Sequence, residues 1–142
     1  MRENLFHGKR NDNGEWVEGY YCAFNGVSHR IYTGYAETDC GEFYPDYYEV
    51  IPETVGQYTG LTDKNGKKIF EGDIVTVPLS WDGDYVMDIG RVFYSEQSCG
   101  FYRTSRVYSG AFGSGSPAMN CTDEYEVISN IYDNPELIKD GV

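Results

Sequence analysis

The sequence predicts a mainly β protein, on the evidence of its composition and of the spacing of its apolar residues. The 142 residues include 14 Tyr and 17 Gly, and aromatic residues make up 16% of the chain. Tyrosine favours strands, and glycine favours the tight turns between them. No segment repeats apolar residues at i, i+3 and i+4 over several turns, so little helix is expected. The length suits one ordinary domain or two small ones that share a core.

Residues 1–56 are predicted to form an N-terminal β portion. Asn4–Lys9 and Glu15–Tyr21 are predicted to be strands joined by a turn at Asn13-Gly14, because Asn-Gly supplies the positive φ angles of a tight hairpin. Phe24–Ile31 is expected to add a second hairpin. The segment Tyr32–Tyr48 mixes tyrosines with acids, glycines and a proline, and is predicted to be long and irregular.

Residues 57–142 are predicted to form an SH3-like small β-barrel on which the N-terminal portion packs. Five short strands are expected, at Lys67–Phe70, Asp73–Leu79, Tyr85–Tyr94, Gly100–Arg103 and Tyr125–Tyr132. Gly90 is predicted to mark a bulge or bend in the third of them. Asn134 followed by Pro135 is an N-terminal helix signal, which predicts one short C-terminal helix through Lys139.

The charge is strongly acidic but unevenly distributed. The net charge of −12 comes from 23 acids and 11 bases, which disfavours direct binding to nucleic acid or to an anionic membrane. The segment from Glu37 to Glu53 carries acids and no Lys or Arg, whereas the segment from Gln97 to Thr122 carries no acid. We therefore expect any anionic ligand to bind at the acid-free segment.

The cysteines and the hydropathy pattern indicate a cytoplasmic protein with reduced, mostly buried thiols. The four cysteines contain no CxxC and no zinc-type spacing with histidine. The first residues have no apolar signal region, and no apolar run approaches the length of a membrane span.

Several motifs resemble those of the YopX family of phage and prophage proteins. They are Phe6–Arg10, Gly14–Tyr20, Val50–Leu61, Asp63–Val75 and Glu126–Leu137. His7 stands where the family usually has Arg, and Ser129 where it has Gly. The resemblance implies a β-rich fold, a phage or prophage origin, residence in the bacterial cytoplasm and self-association. It supplies no catalytic residue.

No residue pattern points to catalysis, so the protein is predicted not to be an enzyme and to use no cofactor or metal. His7 and His29 are single histidines without a readable nucleophile arrangement. The acids lack the spacing of a calcium loop. The Gly- and Ser-rich stretch Ser109–Ser116 lacks the order of a phosphate-binding loop.

The acid-free segment supplies the candidate ligand-binding site. Arg can hold a phosphate or carboxylate with two hydrogen bonds, and Tyr can stack on a base or a peptide plane. The alternative is that the two arginines pair with acids of the same chain or of a neighbouring subunit. The candidate ligand-binding residues are Tyr102, Arg103, Arg106, Tyr108 and Trp81. Trp81 could instead cover the end of the barrel.

Three functions are compatible with these patterns. The leading hypothesis is a phage accessory protein that binds a small anionic, nucleotide-type signal or a host protein and so counters a host defence. The second is an acidic DNA mimic or protein-interaction module, indicated by the acids from Glu37 to Glu53. The third is a structural or regulatory phage protein whose only partner is itself. A homo-oligomer is expected in each case.

Overall fold

The computed structural model describes residues 3–81, 83–108 and 116–138, with the backbone alone for Trp81. These residues form two compact units, divided between Tyr58 and Thr59. The predicted mainly β fold is confirmed, since the described residues form ten strands and two short 3-10 turns. The strands are β1 Phe6–Lys9, β2 Trp16–Phe24, β3 Ser28–Glu37, β4 Phe43–Glu49, β5 Gly56–Thr62, β6 Lys68–Phe70, β7 Asp73–Trp81, β8 Asp84–Ser95, β9 Gly100–Arg103 and β10 Glu126–Asn130. The 3-10 turns are Pro52–Thr54 and Pro135–Ile138.

The first unit is an antiparallel sheet in the order β4-β3-β2-β1, and the first residues of β5 pair with β1. The predicted hairpin within Phe24–Ile31 is confirmed, since β2 and β3 pair across a turn in which Asn25 and Gly26 have φ angles of 52° and 68°. Ile31 and Val50 form the buried core at 0% and 1% exposure. Gly19 is required for close packing, because a Cβ there would lie 2.1 Å from the carbonyl oxygen of Tyr32.

The prediction that Tyr32–Tyr48 is irregular is wrong. Most of the segment belongs to β3 and β4, which pair from Arg30↔Glu49 to Glu37↔Phe43 around a turn at residues 38–42. The tyrosines are good strand formers. The acids and the proline that argued against a strand lie in or beside an edge strand, where polar side chains and proline are tolerated.

The second unit contains a four-stranded antiparallel sheet in the order β10-β7-β8-β9. Its core consists of Ile69, Val75, Val77, Val92 and Tyr125, all 1% exposed or less. The buried carboxylate of Asp63 accepts hydrogen bonds from the backbone N–H groups of Asn65 and Lys67 at 2.9 Å, and from that of Val127 at 3.0 Å. A single side chain thus joins the Asn65-Gly66 turn to β10.

The predicted SH3-like barrel and C-terminal helix are not confirmed. The described strands of the second unit do not close into a barrel, because β6 pairs with β5 and does not join the four-stranded sheet. The helix signal after Asn134 produces only the 3-10 turn Pro135–Ile138 among the described residues, and the expected end at Lys139 lies outside them. No helix of the described chain is long and apolar enough to span a membrane.

Gly90 does not mark the expected bulge. The β7–β8 register is continuous past it, with Val75 opposite Gly90. The glycine is needed for a different reason: a Cβ at residue 90 would lie 1.8 Å from the carbonyl oxygen of Thr104. The segment after β9 therefore packs directly on the backbone of β8.

We expect Gly90→Ala to lower the free energy of unfolding by at least about 2 kcal/mol, because the backbone at Thr104 must move to accept the methyl group. The matched control is Gly100→Ala in β9, where the nearest atoms to the added Cβ are 3.8 Å away and the change should stay within about 1 kcal/mol. Urea unfolding followed by circular dichroism measures both. Equal effects of the two substitutions would contradict the close approach.

Candidate functional site

The structure places Arg103, the centre of the predicted site, in the protein interior. Its side chain is 2% exposed, and its Nη1 lies 2.6 Å from Oδ2 of Asp88, which is fully buried. Asp88 also accepts hydrogen bonds from the hydroxyl of Ser105 and from the backbone N–H groups of Arg106 and Val107, at 2.9 and 3.1 Å. One carboxylate therefore holds the guanidinium and the turn that follows β9.

Asp88 is the charged partner that Arg103 needs. Burial raises the pKa of Asp88, but the hydrogen bonds from Ser105 and Arg103 outweigh it and hold the pKa below its usual value of 3.8. The carboxylate is thus ionised at neutral pH, and the two buried charges neutralise each other. This geometry favours the alternative interpretation from the sequence, in which the arginine pairs within the chain.

The other predicted site residues are only partly brought together. Arg106 is exposed, and its Nη2 donates to the carbonyl of Leu137 at 3.1 Å. Tyr102 stacks on Phe93 with 6.1 Å between ring centroids. The backbone N–H of Tyr108 donates to Ser105 Oγ. Trp81 ends β7, and its side chain lies outside the described structure, as do residues 109–115 of the Gly-rich stretch.

The first unit presents a different candidate, the outward side of β2, β3 and β4. Residues opposite each other in an antiparallel pair point to the same side. The register sets Tyr20 opposite Tyr32, Tyr32 opposite Tyr47, and Tyr35 opposite Pro45. We call this side the aromatic face; its rings, proline and arginine are Tyr20, Phe24, Arg30, Tyr32, Tyr35, Phe43, Pro45 and Tyr47. The register places Glu49, opposite Arg30, and Glu37, opposite Phe43, on the same side.

Several large rings of the aromatic face are exposed. Tyr35 is 78% exposed, Phe43 71% and Tyr20 67%, while Phe24 and Tyr47 are 41% and 40% exposed. Single exposed apolar residues are ordinary, whereas a contiguous set on one side of a sheet indicates an interaction surface.

A cleft of about 510 Å³ opens on the aromatic face. No Asp, Glu, Lys or Arg lines it. Its size is within the usual range of ligand pockets. The lining includes four aromatic rings of this face with a proline and a thiol: Tyr20, Phe24, Tyr32, Tyr35, Pro45 and Cys22.

Arg30 is the only basic residue of the face, and aromatic rings hold it. Its guanidinium carbon lies 4.3 Å from the ring centroid of Tyr47 and 4.9 Å from that of Phe24. Its Nε donates to Ser28 Oγ at 3.2 Å. A guanidinium between two rings gains cation–π attraction while it remains partly hydrated.

Other reactive groups do not assemble into a site in the described part of the chain. No group of three or more His, Cys, Asp or Glu residues could hold a metal ion there. The four cysteines are unpaired thiols, and the expectation that they are mostly buried is wrong, because three are exposed and Cys22 is only partly buried. His7 packs on Trp16 with 4.5 Å between ring centroids, and His29 stacks on Tyr21.

The comparisons with known proteins agree with this architecture. The model of the YopX protein family matches residues 5–139. The chain belongs to the YopX family. The crystal structure of protein EF1440 from Enterococcus faecalis is similar to this YopX-family chain, with a TM-score of 0.60 and 23% identity over 98% of this chain and 100% of the other. That likeness concerns the fold alone. The comparison with curated proteins finds no match.

Sequence reasoning missed the aromatic face of this YopX-family protein. The sequence shows tyrosine at residues 20, 32, 35 and 47, but only the strand register shows that these side chains lie on the same side of the sheet.

We expect Arg103→Met to lower the free energy of unfolding by about 3–5 kcal/mol, because it leaves the buried carboxylate of Asp88 without its charged partner. Arg106→Met is the matched control, since this arginine is exposed and its loss should cost about 1 kcal/mol or less. Chemical unfolding at neutral pH measures both. A wild-type unfolding energy in Arg103→Met would contradict the structural role of the pair.

The lowered pKa of Asp88 predicts a specific acid response. The stabilisation from its ionised form is complete above the unfolded-state pKa of about 3.9 and is lost as the pH falls below it towards the folded-state pKa. The unfolding energy of the wild type should therefore fall more steeply below about pH 4 than that of Asp88→Asn, which cannot titrate there. Parallel curves for the two proteins would show that the pKa of Asp88 is not lowered by folding.

Proposed function

We propose that this YopX-family protein acts by binding a protein partner through the aromatic face, and not by catalysis. The main observation in support of this proposal is the set of exposed rings on the aromatic face, where Tyr20, Tyr35 and Phe43 are each at least 67% exposed. Aromatic residues are enriched in protein interfaces, where they contribute large contact areas at a low cost in conformational entropy. A rigid antiparallel sheet presents them with little need for rearrangement.

The charge distribution supports a basic partner over the small anionic ligand expected from the sequence. The first unit, Met1–Tyr58, carries four bases, Arg2, Lys9, Arg10 and Arg30. Against them stand ten acids: Glu3, Asp12, Glu15, Glu18, Glu37, Asp39, Glu42, Asp46, Glu49 and Glu53. This field repels anions and attracts cations at long range. Arg103 and Arg106, the residues expected to hold an anion, already donate to Asp88 and Leu137.

Electrostatics also argues against a second copy of this chain on the aromatic face. A two-fold contact would place the same acidic strands of two copies together, and like charges across an interface are costly. Self-association through another surface remains a separate proposal. Light scattering tests it, and a single ~16 kDa species at micromolar concentration would contradict it.

We propose that this binding serves an accessory role in phage or prophage biology. One such role is the capture of a host defence protein in the bacterial cytoplasm. The acidic DNA-mimic hypothesis shares the basic partner but differs in the surface used. A mimic would depend mainly on carboxylates, and its binding would weaken steeply with salt. Binding through aromatic rings should persist at high salt, because the hydrophobic contribution is not screened.

The aromatic face is tested with the double variant Tyr20→Ser with Tyr35→Ser. Its matched control is Tyr85→Ser with Met87→Ser on β8 of the second unit, where the two side chains are 84% and 59% exposed. The wild type and both variants are immobilised and exposed to the same bacterial lysate. We expect wild type and control to retain the same proteins, and the aromatic-face variant to retain at least about tenfold less of them, as for loss of interface hot spots.

Circular dichroism and unfolding must first show that both variants fold like the wild type, with unfolding energies within about 0.5 kcal/mol, as is usual for surface substitutions. Equal retention of the same proteins by all three forms would overturn the proposed function.

A further inference from the structure

We infer that the cleft on the aromatic face receives an arginine side chain of a basic protein partner. This inference rests on the proposed function and specifies the chemical group that the cleft recognises. The surface already contains an intramolecular example of this kind of binding, in which a planar cation packs on aromatic rings.

The example is Arg30. Its guanidinium carbon lies 4.3 Å from the centroid of Tyr47 and 4.9 Å from that of Phe24, so it packs against two rings of the face. Arg10 repeats the arrangement elsewhere in the first unit, with its guanidinium carbon 4.2 Å from the ring centroid of Tyr48. Tyrosine rings on these strands therefore accept guanidinium groups at cation–π distances.

The cleft offers a second position of the same kind. Phe24 and Tyr32, which contact Arg30, also line the cleft, and Tyr20 and Tyr35 complete it at 67% and 78% exposure. Its volume of about 510 Å³ is ample for one long side chain with part of its neighbours. No acid lines it, so the rings provide the short-range attraction.

The surrounding charge selects for a cation. The first unit carries ten acids against four bases and so attracts a basic segment, while the uncharged lining avoids the desolvation cost of a buried carboxylate. A nucleobase could also stack on these rings, but its phosphate would meet the acidic field. The observations therefore favour a protein cation over a nucleic acid.

Arginine is favoured over lysine because of its shape and hydration. The guanidinium is planar, is less strongly hydrated than an ammonium group, and stacks on aromatic rings. The phenol hydroxyl of Tyr32 already accepts from Arg30 Nη1 at 3.4 Å, which shows that the ring edges of the face can receive guanidinium hydrogen bonds. A lysine would keep more of its water and gain less from ring faces.

The first test compares three short peptides that alternate one side chain with glycine: arginine, lysine or citrulline. Lysine preserves the charge without the planar group, and citrulline preserves the planar shape without the charge. We expect calorimetry to show the arginine peptide binding at least about tenfold tighter than either of the others. Equal affinities for the arginine and lysine peptides would overturn the inference.

The second test assigns the preference to the cleft. In Tyr20→Leu with Tyr35→Leu the preference for arginine should fall to about twofold or less, whereas Tyr20→Phe with Tyr35→Phe keeps the rings and should retain it. Tyr85→Leu with Met87→Leu in the second unit is the matched control and should behave like the wild type. A preference that survives in the leucine variant would overturn the assignment.

The third test uses a thiol in the lining as a local reporter. Cys22 is partly buried in the cleft, while Cys40 is exposed and does not line it. Alkylation by iodoacetamide, followed by mass spectrometry, should slow at Cys22 but not at Cys40 when the arginine peptide is added. Binding without protection of Cys22, or protection of Cys22 by a short oligothymidylate instead, would overturn the inference.

Failure of the inference and failure of the proposed function are distinguishable. If the aromatic-face variant loses its lysate partner while the arginine and lysine peptides bind alike, the proposed function stands and the arginine inference falls. If all forms retain the same lysate proteins, the proposed function falls, and the peptide and alkylation results still report on the cleft itself.

Discussion

The register of β2, β3 and β4 is the constraint on which the candidate site depends. Tyr32 pairs with Tyr47, but Gly34 pairs with Asp46, so Thr33 is an extra residue in β3. In a regular strand Tyr32 and Tyr35 would point to opposite sides, because successive side chains alternate. The extra residue returns Tyr35 to the side of Tyr32, as β-bulges do when they redirect a side chain. Without this bulge the cleft would lose one of its walls.

The bulge is supported by hydrogen bonds and by the edge position of β4. The hydroxyl of Thr33 donates to the carbonyl of Asp46 at 3.4 Å. Pro45 occurs in β4, the last strand of this sheet, where a missing backbone N–H is tolerated. The proline and nearby acids also make β4 a poor template for pairing with another strand. The face, not the strand edge, is therefore the suitable contact surface of this unit.

Buried and exposed charges have separate roles in this protein. In the second unit, Asp63 and Asp88 are 7% and 0% exposed, and each accepts several backbone N–H groups that close nearby turns. Such carboxylates stabilise the fold because hydrogen bonds offset the cost of burial. In the first unit, Glu37 and Glu49 share the aromatic face with rings that remain exposed. An acidic field around an uncharged aromatic cleft combines long-range attraction of cations with short-range packing.

The sequence by itself determined the strand content, the tight turns and the family of this protein, because these depend on local backbone preferences and short motifs. Asn25 and Gly26 both adopt the positive φ angles that their residue types favour, and Gly66 does so in the turn after Asn65. Only the tertiary structure decided that Gly90 receives the backbone at Thr104 and that Arg103 faces Asp88. These are contacts between segments distant along the chain, which local patterns do not specify. The aromatic face belongs to the same class, since one extra residue in β3 reverses the direction of every side chain that follows it.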